Sequence, residues 1–155
     1  MIRRVEAEDW ELLRDVRLRA LSEDPDAFLA TYAQESAFTD EQWQARAGQS
    51  NGASFAVEGG DGLVTGFVDA DPTTVFLVGM WVSPALRGSG IARDLVAHVV
   101  EWARVRGSAR VCLSVEANNL RAARLYERCG FTETKDSPNF PYKPNQGNRF
   151  FVFEL

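Results

Sequence analysis

The sequence is short of the side chains that build metal centres and disulfide frameworks. It has one histidine, His98, and two cysteines, Cys112 and Cys129, at no ligand-like spacing. Neither a zinc site nor a stapled fold is therefore expected. No apolar run reaches the roughly 18 residues of a membrane span, and the opening MIRRVEAEDW lacks a signal-like apolar stretch. A cytoplasmic protein with no membrane partner is expected. The net charge of −5 supplies no excess of cations to neutralise phosphates, which argues against a nucleic-acid partner. A Gly-Lys dipeptide is also missing, and with it the phosphate-binding loop of nucleoside triphosphatases.

What is present is an ordinary globular composition, 45% apolar and 25% charged over 155 residues, sized for a single domain over 1–155. Ile2–Val5 reads as a short strand. A helix begins near Asp9 and carries Leu12, Leu13, Val16 and Leu21 before SEDPDAF breaks it. A second amphipathic stretch runs from about Ala27 to Gly48, interrupted near Phe38-Thr39-Asp40. Ser54–Glu58 and Leu63–Asp69 flank the turn signal GGDG and form a hairpin. VFLVGMWV, Val75–Val82, is apolar throughout except at Gly79. That pattern predicts a strand covered on both faces, with a bulge or a close backbone approach at the glycine. A helix over Ile91–Arg106, a strand over Ala109–Val115, a helix over Leu120–Cys129 and strands near Phe131–Thr134 and Phe150–Leu155 complete a mixed α/β order. The strand–helix–strand unit across residues 75–115 should form a parallel pair with a right-handed crossover.

Between that buried strand and helix lies SPALRGSGIARD. Glycines at a helix start bare backbone amides toward an anion. A dinucleotide fingerprint requires a small residue three after Gly90, and Arg93 stands there. What remains is R-x-x-G-x-A, formed by Arg87, Gly90 and Ala92. Downstream, VEANNLRAARLYERCGF carries Asn119, Ala122 and Tyr126 on one helical face. That face reads either as a ligand wall or as a helix packed through Ala122 and anchored by Tyr126.

Together the two segments resemble the GNAT superfamily of N-acetyltransferases. The family's Q/R-x-x-G-x-G/A loop corresponds to Arg87–Ala92. Its N-x-x-A-x-x-L-Y-x-x-x-G-F segment is matched by Asn119, Ala122, Leu125, Tyr126, Gly130 and Phe131. The resemblance is most specific over residues 75–131. It implies a mixed sheet of about six to seven strands splayed between the fourth and fifth, flanked by about four helices. It implies acetyl-CoA as co-substrate, with backbone groups of Met80, Trp81 and Val82 bonding the pantetheine. The Arg87, Gly88, Ser89, Gly90, Ile91, Ala92 and Arg93 stretch would hold the pyrophosphate, and Asn119, Ala122 and Tyr126 would form a wall. By the same resemblance, the N–H of Val82 stabilises the oxyanion and Tyr126 is the general acid.

A primary amine of a small molecule is the expected acceptor. Acetylation of a protein N-terminus or lysine, or acyl-CoA binding without catalysis, are the alternatives, and a homodimer is compatible with all three. Ser114 stands where some N-terminal acetyltransferases carry glutamate, which counts against that version. The base is expected among Glu35, Glu116 and Asp69. Phe28, Tyr32 and Glu35 on one helix face read either as a pocket for a cation or as an exposed Glu35 beside two core aromatics. His98, Cys112 and Cys129 read as packing residues. Trp81 reads as packing that could also touch ligand, Asp24-Pro25-Asp26 as a turn, and residues 137–148 as a lid.

Overall fold

A computed structural model describes residues 1–136, 140, 141, 144 and 146–155. Its strands are β1 (Ile2–Val5), β2 (Gly52–Val57), β3 (Gly62–Phe67), β4 (Thr74–Val82), β5 (Arg110–Val115), β6 (Thr132–Thr134) and β7 (Arg149–Glu154). Its helices are α1 (Trp10–Glu23), α2 (Tyr32–Ser36), α3 (Asp40–Ala47), α4 (Ile91–Val105) and α5 (Leu120–Arg128). The strands form one sheet in the order β1-β2-β3-β4-β5-β7-β6. Only β4 and β5 pair in parallel, joined through α4; the other pairs are antiparallel.

The predicted second amphipathic stretch is two helices, which raises the helix count from four to five. Each starts at a threonine, Thr31 or Thr39, whose hydroxyl accepts the amide three residues on while Gln34 or Gln42 reaches back. These are capping boxes, legible as T-x-x-Q. Residues 28–31 lie outside the helix, so Phe28 does not share a helical face with Glu35, and Tyr32 is half exposed.

The sheet buries both faces. On one, Leu95, Val96, Val99 and Ala103 of α4 pack with Val64, Val75, Leu77, Leu113 and Phe151. On the other, Leu13 and Val16 of α1 and Trp43 of α3 pack with Val5, Ala56, Leu63 and Trp81. Burial on both sides explains the uninterrupted apolar run of β4.

The feature that matters for function is where β4 and β5 part. Their pairing covers only Thr74–Phe76 against Arg110–Cys112. Beyond that, β5 continues to pair with β7 up to Val115, while β4 continues against β3 up to Val82. The β3–β4 register slips by one residue across Val64, with Gly79 at φ +64°. An extra residue of this kind bends a strand, and it turns the outer half of β4 off the line of β5. Two facing strand edges in the middle of a sheet are thereby left without strand partners, which calls for an occupant.

Candidate active site

The gap opens into a cleft of about 500 Å³. One wall is Leu77, Val78, Gly79 and Met80 of β4; the opposite wall is Leu113–Glu116 together with Asn119, Ala122 and Tyr126. Arg17 of α1, Arg46 of α3 and the 27–30 segment close one end. Asn119, Ala122 and Tyr126 thus line one side of the gap, although Asn119 arrives differently from the expectation. It is the N-cap of α5 and not a helical residue, and its Oδ1 accepts the Ala122 amide at 3.1 Å. Tyr126 is buried, with its ring edge-on to Phe131 at 5.7 Å between centroids.

The backbone of β4 sorts the expected pantetheine contacts. The Ser83 N–H donates to the Asp61 carbonyl at 2.8 Å, and in the same register Trp81 opposes Leu63 and Val82 opposes Gly62. Amides alternate sides along an antiparallel strand. Trp81 therefore turns its backbone toward β3, while Met80 and Val82 turn theirs toward the gap. The Trp81 side chain is also committed: it packs on the α1 face, and its Nε1 donates to Asp24 at 2.7 Å. Neither part of Trp81 faces the cleft, so it drops from the binding set.

After Val82 the chain makes a one-turn 3-10 helix, Pro84–Leu86, and then the glycine loop. Gly88 and Gly90 have φ of +83° and +92°, and a Cβ at either would meet nothing within 4 Å. The glycines are there for conformation and for an open approach to the backbone. Among the described residues, the amides of Gly88, Gly90, Ile91, Ala92 and Arg93 meet no protein acceptor, and the first capped amide is Asp94, bonded to Gly90. These orphan donors stand at the positive end of the 15-residue α4, an arrangement suited to a phosphate.

Two members of the expected anchor are turned inward. The N–H and hydroxyl of Ser89 both donate to the Leu86 carbonyl. Arg87 donates from Nε to the Val82 carbonyl at 3.1 Å and from Nη2 to Asp24 at 2.9 Å. Arg87 thus braces the turn, and Asp24, which sequence reasoning treated only as a turn residue, ties α1 to both Trp81 and the loop.

The three carboxylates considered as bases are now separable. Asp69 lines a different depression, with Asp71, Arg110 and Glu154. Glu35 is 5% exposed, and its oxygens accept Arg17 Nε at 2.9 Å, Arg17 Nη2 at 3.1 Å and Arg46 Nη1 at 2.9 Å. Burial alone would raise its pKa, but the hydrogen bonds and charge of Arg17, with Arg46 behind, outweigh that and hold it below the ordinary glutamate value. A carboxylate so stabilised is a weak proton acceptor. The expected cation pocket is also filled from within, because the Arg17 guanidinium lies over the Phe28 ring at 4.8 Å. Glu116, at the end of β5, does line the cleft.

Arg17 and Arg46 are the cleft residues that the sequence reading missed. The available signal was Arg17 itself, a cation within the buried stripe Leu13, Val16, Ala20 and Leu21 of α1.

The remaining residues read as packing. His98 Nδ1 lies 2.7 Å from the Asp94 carbonyl, and its ring lies 5.4 Å from Phe55. Burial pushes the Cys112 thiol up to about 11 and raises Cys129 as well. Neither cysteine lines the cleft. Among the described residues no three His, Cys, Asp or Glu side chains gather as metal ligands, and no helix is long and apolar enough to cross a membrane. Of the expected lid, Pro144 and Asn148 line the cleft and Phe140 lies between Phe76 and Phe150. Residues 137–139, 142, 143 and 145 of that segment lie outside the described residues.

The family model for the acetyltransferase (GNAT) family matches residues 13–131. The chain belongs to that family. Over 86 residues it is 30% identical to an aminoglycoside N(6')-acetyltransferase type 1 of Salmonella typhimurium, covering 48% of this chain and 59% of that enzyme. Over 58 residues it is 45% identical to a mycothiol acetyltransferase of Streptosporangium roseum, covering 37% of this chain and 17% of that enzyme. The chain therefore spans less than two thirds of the length of these curated relatives. Its fold matches the structure of yncA of Salmonella typhimurium with its cofactor acetyl-CoA at a TM-score of 0.73. That match has 20% identity and covers 100% of this chain and 93% of the other.

Proposed function

We propose that this chain, acting as one domain, is an N-acetyltransferase that moves the acetyl group of acetyl-CoA to a primary amine of a small molecule. The observation that carries this reading is the parted β4–β5 pair, with gap-facing amides leading into a loop of orphan donors. Met80 and Val82 would bond the pantetheine as an added strand would. The amides of Gly88 and Gly90–Arg93 would hold the pyrophosphate. Relatives that act on aminoglycosides and mycothiol support a small-molecule acceptor.

In the reaction, the amine nitrogen forms a bond to the thioester carbon, the carbon–sulfur bond breaks, and the proton lost by nitrogen balances the one gained by sulfur. Of the two gap-facing amides, only that of Met80 belongs to a residue lining the cleft, across from Tyr126. We therefore assign the oxyanion contact to Met80 and leave Val82, expected for it by resemblance, to the pantetheine. Tyr126 gives its proton to the leaving sulfur. The raised thiol pKa of buried Cys112 and of half-buried Cys129 supports direct attack without a cysteine acyl-enzyme. An alkylammonium with a pKa of about 10.4 is neutral only about once in two thousand molecules at pH 7. Proton removal falls to Glu116, directly or through one water.

The test is thiol release from acetyl-CoA against a panel of primary amines. Release that rises with amine supports the reading, and release indifferent to every amine overturns it. A second expectation concerns the loop. Alanine at the φ of Gly90 carries a strain of about 1–2 kcal/mol, so Gly90→Ala should weaken acetyl-CoA binding about 5- to 30-fold by calorimetric titration. Unchanged affinity would remove Gly90 from the anchor.

A further inference from the structure

Among the described residues, the charged groups lining the cleft are Arg17, Arg46 and Glu116. Arg17 is 8% exposed yet not fully paired. Its Nε and Nη2 are taken by Glu35, while its Nη1 meets no acceptor among the described residues. That Nη1 reaches the bulge of β4, since a Cβ built on Gly79 would stand 3.5 Å from it. Arg46 spends one nitrogen on the same carboxylate and lies over the Trp43 ring at 5.3 Å. Two cations thus share one anion, and the cluster keeps a charge of +1 at the cleft wall, in a chain whose net charge is −5. A buried guanidinium with an open donor edge is costly unless an acceptor completes it. Guanidinium presents a planar fork that matches a carboxylate.

We propose that the acceptor amine also bears a carboxylate, bound between Arg17 Nη1 and Arg46, with the amine directed toward Glu116 on the opposite wall. The substrate class is thus amino-acid-like. The inference rests on the acetyltransferase reading above.

The test compares kcat/KM, at saturating acetyl-CoA, for amines carrying a carboxylate and for the same amines as carboxamides. Amidation also changes the basicity of the amine, so the decisive quantity is how the carboxylate-to-carboxamide ratio changes on substitution. A charge-assisted hydrogen bond corresponds to about 10- to 100-fold. Arg46→Gln should lower the ratio about tenfold or more, chiefly through KM, and Arg46→Lys should restore part of it. Arg17 still pairs Glu35 in both variants, and melting curves check that they are folded. An unchanged ratio in both variants overturns the inference while leaving the transferase intact. Acetylation of no amine in either series overturns the transferase reading and this inference with it.

Discussion

Tyr126→Phe is expected to lower kcat about ten- to a hundred-fold, with acetyl-CoA affinity nearly unchanged. The ring is what packs: it is buried against Phe131 on the wall of the cleft, and phenylalanine keeps it. Only the hydroxyl is lost. The expected factor sits at the low end of general-acid effects because a thiol with a pKa near 8.5 is already a tolerable leaving group at neutral pH. In the proposed role the hydroxyl would act on the departing sulfur in the transition state, so kcat and kcat/KM should fall together. Steady-state kinetics on the best amine of the panel decides the matter. Full turnover by the variant would take Tyr126 out of proton transfer and leave it as an anchor of α5.

Arg17→Met is expected to destabilise the fold by about 3–5 kcal/mol, the usual consequence of removing one partner from a buried pair. Glu35 would keep Arg46, but it would lose two of its three guanidinium hydrogen bonds in a site where it is 5% exposed. Replacing both partners, Arg17→Met with Glu35→Leu, should recover most of the loss, because no uncompensated carboxylate remains buried. The pH dependence follows from the direction of the Glu35 shift. Its folded-state pKa lies below the unfolded value of about 4.3. Its contribution is therefore fully present above that value and is lost as pH falls through the lower, folded one. Denaturant titrations at falling pH should show wild type weakening in that acid window, with Glu35→Gln less stable at neutral pH and flatter across the window. A variant as acid-sensitive as wild type would contradict the assignment.

The fold was largely legible because its signals are local. The apolar run of Val75–Val82, the amphipathic period of Ile91–Val105 and the glycine stop after α5 each report one element. Gly79 marked the bulge that parts β4 from β5. The loop glycines stood out because a positive φ at a helix start, which Gly88 and Gly90 have, leaves few residue choices. What failed needed distances along or between elements. Phe28 looked helical by spacing, but the capping box at Thr31 starts the helix after it. Glu35 looked like a base because nothing in its neighbourhood announced that Arg17, 18 residues earlier, takes both of its oxygens. Arg87 looked like a phosphate ligand because its partner Asp24 lies 63 positions away. Trp81 read as packing from the sequence, but only the register, which turns its backbone toward β3, takes it out of the expected pantetheine contacts. The proposed donor end of the site is short-range in sequence, which is why its motifs stood out there. The acceptor end is assembled from α1, α3 and β5 by tertiary packing, and only the structure brings Arg17, Arg46 and Glu116 to one cleft.

The central claim is acetyl transfer from a thioester to nitrogen. It is tested most directly by mass spectrometry of both products in one reaction containing the full chain, acetyl-CoA and the amine panel. The account predicts one acetylated amine for each coenzyme A released, with both yields falling together in the Tyr126→Phe protein. Coenzyme A released without acetylated amine, or neither product from any member of the panel, would contradict it.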